Sequence, residues 1–208
     1  MGTNLIPNIL AVSLFIIGLY VALRAFYVYS LSRSPRLFIL GLSMSIISLT
    51  AAADFASSNI TSITLNTDWF LYIGQAISLL FILLSLVRSS DEYLQGLTIW
   101  HLSASALLLA LLLLSPTLPG FPNTAIRAIL SSSRCILCFG IFFCYASAFM
   151  KKETRFGLLM SLSFLLLALG YLMIAQQYFT VSQQLFDNAG DIIRLLGLGT
   201  LLAAVLAG

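Results

Sequence analysis

The chain has 208 residues, of which 60% are apolar and only 8% charged. A soluble surface needs roughly a quarter charged residues, so this composition, with a mean hydropathy of +1.04, excludes a soluble globular protein. The net charge of +3, from ten Lys/Arg against seven Asp/Glu, is too sparse for the basic patch that binds nucleic acid.

About 20 mostly apolar residues carry a helix across the hydrocarbon core. Seven stretches qualify: 6–29, 37–56, 69–87, 97–114, 124–150, 156–176 and 185–207. In lipid the backbone must satisfy its own hydrogen bonds, so these read as helices. The expected fold is an all-α, multi-pass seven-transmembrane-helix bundle, a single transmembrane domain over 1–208. The first stretch has no basic segment ahead of it and no small-residue cleavage site behind it, so it is taken as a span.

The breaks support this division. Ser32 to Arg36 separates the first two spans, and a Ser/Thr/Asn-rich loop from Asn59 to Asp68 separates the next two. Arg88 to Gln95 is polar, Ser115 to Pro122 holds three prolines and a glycine, and Lys151 to Arg155 is charged. Arg33, Arg36, Arg88, Lys151, Lys152 and Arg155 all fall in alternate loops, so the positive-inside rule places the N-terminus outside and the C-terminus inside. Tyr27, Tyr29, Trp69, Trp100, Phe149 and Tyr178 sit near span ends, as an interfacial aromatic belt does.

A shift of 119 to 120 residues carries Arg33-Ser34-Pro35-Arg36 onto Lys152-Glu153-Thr154-Arg155, Leu42-Ser43 onto Leu162-Ser163, and Asp68 onto Asp187. The first three spans thus match the last three, with the fourth as a linker, giving a parallel 3+1+3 repeat. This layout resembles that of the SWEET sugar transporters, with which the chain shares no motif; the resemblance implies a small-solute transporter.

Ionisable groups at membrane depth are costly and therefore informative. The candidate polar and charged cluster is Asp54, Gln75, Arg134, Asp187, Asp191 and Arg194. Asp187, Asp191 and Arg194 descend the seventh span at spacings of four and three, which places them on one helical face. That face points inward, because an unpaired mid-span Arg costs at least about 2.5–3.5 kcal/mol. Asp191 is the nearest partner of Arg194, whereas Arg134 needs a partner from another span, with Asp54 or Asp187 available. Such a cluster either fixes helix packing or holds a solute or ion.

Catalytic chemistry finds little support. His101 is the single histidine, which excludes paired-His haem ligation and His-based metal clusters. The two lysines, Lys151 and Lys152, lie in a loop, so no retinal Schiff base can form inside the spans. Cys135 and Cys138 have CxxC spacing but read as small packing residues, and Ser43 with His101 forms the one nucleophile–base pairing to weigh. No catalytic residue, metal ligand or cofactor is expected. Gly41/Ser45, Ala106/Ala110 and Ala203/Ala207 are small pairs four apart, which let helices approach closely. The expectation is a non-catalytic integral subunit or scaffold of a larger cell-membrane complex, whose partners are the lipid bilayer and other membrane subunits. The alternatives are a small-solute transporter or channel, or a sensory, ligand-binding module.

Overall fold

The computed structural model describes residues 5–60, 66–88, 90–120, 124–179 and 183–207. The described residues are all-helical, with seven long helices: α1 (Leu5–Ser32), α2 (Pro35–Asn59), α3 (Asp68–Val87), α4 (Asp91–Leu113), α5 (Thr124–Lys152), α6 (Arg155–Gln176) and α7 (Gln183–Ala207). A short 3₁₀ turn, Ser115–Thr117, follows α4. All seven helices are long and apolar enough to cross a membrane. Residues 61–65 and 121–123, parts of two loops expected from the sequence, lie outside the described residues.

The helices overrun the apolar stretches at most ends. The clearest case is α4, which starts at Asp91 rather than near residue 97. Hydropathy detects only the part of a helix that suits hydrocarbon, whereas Asp91 and Glu92 suit the positive end of the helix dipole.

Two helix junctions share one geometry. Arg33 ends α1 and Glu153 ends α5 in the left-handed region, with φ of 54° and 47°. Each donates its amide to the carbonyl four residues back, Arg33 to Tyr29 at 2.8 Å and Glu153 to Phe149 at 2.7 Å. The next residue, Ser34 or Thr154, is extended and precedes the new helix. Thr154 adds a side-chain cap, its hydroxyl accepting the Gly157 amide at 3.2 Å. Pro35 opens α2 at a position where its missing N–H costs nothing.

The helices form two compact units. The N-unit, Leu14–Pro122, holds most of α1 with α2, α3 and α4. In it α2 packs on α3, and α4 packs on both, so α4 is part of a helical core rather than a bare linker. Gly18 and Gly41 seat α2 against α1: a Cβ on Gly18 would lie 3.2 Å from Ser48, and one on Gly41 2.9 Å from the Phe26 ring. The ends of α3 and α4 are tied by Trp69, whose indole donates to the Pro119 carbonyl at 3.0 Å, and by Asn66, which donates to the same carbonyl at 2.9 Å.

The C-unit comprises Asn123–Gly208 with Met1–Ser13. Here α6 packs against both α5 and α7. The α6–α7 seam is tight because glycines face each other. A Cβ on Gly170 would lie 2.9 Å from the Gly190 carbonyl oxygen, and one on Gly190 would lie 2.9 Å from that of Gly170. Further along, Ser163 donates to the Gly197 carbonyl at 2.9 Å.

Candidate functional site

Two arginines of the C-unit converge on one aromatic ring. Tyr171, buried in the last third of α6, has the Arg134 guanidinium of α5 at 4.8 Å and the Arg194 guanidinium of α7 at 4.7 Å from its ring centroid. Each contact contributes about 0.5–2 kcal/mol, more where water is excluded. Arg194 also donates to the Asp191 carboxylate at 3.0 Å, and both side chains are nearly buried. Arg134 donates to the Ser131 hydroxyl at 3.1 Å, one turn back on α5. Asp187 lies one turn before Asp191 and is half-buried. Gly170 makes room for this: Arg194 crosses α6 where a Cβ on Gly170 would stand 2.5 Å from the Arg194 Cγ.

The other two residues of the expected cluster belong to the N-unit. Gln75 is buried on α3 and donates to the Thr50 hydroxyl at 3.4 Å. The approach is allowed by Gly74, where a Cβ would lie 2.9 Å from the Thr50 methyl. Asp54 is half-buried near the end of α2, and its backbone carbonyl accepts from Ser57 at 2.9 Å.

Tyr171 was absent from the expected cluster, although it organises it. One signal was available: a tyrosine inside an apolar span needs a partner for its hydroxyl and offers a π face to a cation.

His101 is fully buried and stacks on Phe81, with ring centroids 4.2 Å apart and planes 15° from parallel. Its Nε2 lies 3.5 Å from the Ser43 hydroxyl, at the outer limit of a hydrogen bond. The nucleophile–base pairing is thus formed in space. Among the described residues, the other ring nitrogen, Nδ1, has no hydrogen-bond partner, so none of them orients the ring as the carboxylate of a triad does. Cys135 and Cys138 are buried free thiols on α5. Among the described residues, no group of three or more His, Cys, Asp or Glu could hold a metal ion.

The C-unit carries an open cavity of about 580 Å³ beside α5, lined by Thr124, Ala128, Ser132, Ile136 and their neighbours on one face of that helix and by Tyr178 and Phe179. Among the described residues, none that lines it is charged.

No family model, no curated protein and no solved structure matches this chain.

Proposed function

We propose that this protein is a non-catalytic integral subunit or scaffold of a larger membrane complex. One observation carries the reading. Of the three small-residue pairs four apart, Gly41/Ser45 is used within the chain, its glycine covered by Phe26. Ala106 and Ala110 on α4, and Ala203 and Ala207 on α7, are exposed. Gly199 extends the α7 pair to three small residues at i, i+4 and i+8, and a Cβ there would meet nothing within 4 Å. Small residues let backbones approach across lipid, and here that capacity is left unspent. The charged cluster supports the same reading, because its arginines cross-link α5, α6 and α7 at Tyr171 and none of them lines the cavity beside α5.

The subunit sits in the cell membrane with its N-terminus outside, on the distribution of Lys and Arg among the loops. Single cysteines at the exposed positions Asn59 and Lys152 test this with an impermeant thiol reagent. Labelling at Lys152 from outside reverses the orientation. Assembly is tested by purification in mild detergent. The expected result is co-purifying membrane protein that is lost in an Ala203→Leu variant of unchanged thermal stability. A monodisperse, partner-free monomer that moves solute into liposomes overturns the proposal.

A second reading, a small-solute transporter built on a 3+1+3 duplication, draws on the two matching junctions. Arg33 and Glu153, and Ser34 and Thr154, correspond at a shift of 120 residues. The same shift carries Thr50 and Gly74, which meet, onto Gly170 and Arg194, which also meet. These correspondences support a parallel repeat in which α4 has joined the packing of the first half.

A further inference from the structure

We propose that the N-unit holds an internal water molecule between His101, Ser78 and Ser105, completing a Ser43–His101–water hydrogen-bond relay among α2, α3 and α4. Four polar side chains are buried in this apolar helical unit: Ser43 and Ser78 are 0% exposed, His101 1% and Ser105 5%. Among the described residues, no hydrogen-bond partner reaches His101 Nδ1, Ser78 Oγ or Ser105 Oγ.

The usual fate of a serine in an apolar helix is to bond back to its own backbone. Ser85 does so to the Ile82 carbonyl at 2.7 Å, and Ser161 to the Leu158 carbonyl at 2.8 Å. Ser78 and Ser105 do not. The register brings them to one level. Phe81 of α3 stacks on His101 of α4, and these consecutive helices run antiparallel. Ser78 lies three residues before Phe81 and Ser105 four residues after His101, so both are displaced about one turn in the same direction.

A buried polar group left unbonded forfeits the hydrogen bonds that water gave it before folding. Three of them within about one helical turn is what a buried water resolves, since such waters make about three hydrogen bonds to otherwise unsatisfied groups. Water both donates and accepts, so it complements Nδ1 whichever ring nitrogen carries the proton. The ring is meanwhile held on its other edge by Ser43 and on its face by Phe81.

The chain has a single histidine, so its imidazole signals in a ¹⁵N-histidine-labelled sample need no assignment. The experiment is solid-state NMR of the full chain in lipid vesicles, reading magnetisation transfer from water to the imidazole. Transfer is expected in the wild type and in Ser43→Ala. It is expected to be lost in the Ser78→Ala/Ser105→Ala double variant at an unchanged melting temperature. Absence of transfer in the wild type overturns the proposal whatever the variants do. Undiminished transfer in a folded double variant overturns the assignment of the two serines as ligands. If the double variant does not fold, each single serine variant is expected to weaken the transfer, and two unchanged single variants overturn that assignment equally.

Discussion

Among the described residues, the buried polar side chains of the N-unit are those of Ser, Thr, Gln and His, among them Ser43, Ser48, Thr50, Gln75, Ser78, Ser85 and His101, whereas those of the C-unit include Arg134 and Asp191. Several hydroxyls of the N-unit bond within their own helix: Ser45 donates to Gly41 at 2.9 Å, Thr50 to Ile47 at 2.7 Å and Ser85 to Ile82 at 2.7 Å. Other neutral groups of the N-unit reach a neighbouring helix, Gln75 to Thr50 and Ser48 to the Phe15 carbonyl. A guanidinium cannot be satisfied by one backbone carbonyl. Arg134 and Arg194 therefore reach Tyr171 on α6, and Arg194 also binds Asp191. The comparison teaches that in an apolar medium a hydroxyl can be satisfied within one helix, whereas a guanidinium gathers partners from several.

The largest effect that would break this comparison is at Arg194. Arg194→Leu strands the Asp191 carboxylate and is expected to cost about 3–5 kcal/mol, while Arg194→Leu combined with Asp191→Leu is expected to be close to neutral. Melting temperatures of both single variants and the double variant in one detergent give the coupling; additive losses would mean that the pair does no joint work.

Glycine substitutions come next. Gly170→Ala drives a methyl against the Gly190 carbonyl oxygen and the stem of Arg194, and is expected to destabilise by about 1–3 kcal/mol. Gly74→Ala meets the methyl of Thr50, a side-chain atom, and is expected to cost less. Equal losses would show that the two seams are equally tight.

The cation–π contribution is sharpened at Tyr171. Tyr171→Leu removes the ring under both guanidiniums and is expected to cost about 1–2 kcal/mol more than Tyr171→Phe, which keeps the π face. Thermal unfolding of the two variants side by side checks this; equal losses would assign the effect to the hydroxyl instead.

The smallest effect is expected where the units agree. Arg33→Gly and Glu153→Gly relieve left-handed backbone conformations that glycine adopts freely. Each is expected to change stability by no more than about 1 kcal/mol, by similar amounts, because relief of strain is offset by the greater freedom of glycine in the unfolded chain. A large difference between them, measured by chemical unfolding in mixed micelles, would set the two junctions apart.

The number of long helices and their approximate limits were legible in the sequence, because crossing hydrocarbon imposes a length and a composition on each segment. The common face of Asp187, Asp191 and Arg194 was legible too, since helical spacing alone decides it. The start of α4 at Asp91 was not, because a hydropathy reading stops where the apolar run stops and the helix does not. Tertiary structure alone decided which groups meet between helices. Tyr171 lies 37 residues from Arg134 and 23 from Arg194, and Ser43 lies 58 from His101. Contacts over such separations depend on which faces two helices turn to each other. That choice was made by local backbone approach at Gly170, Gly190 and Gly74, where a missing Cβ lets one helix close on another. Neither periodicity nor composition records that geometry, because a glycine that seats a neighbour and a glycine that faces lipid are the same letter.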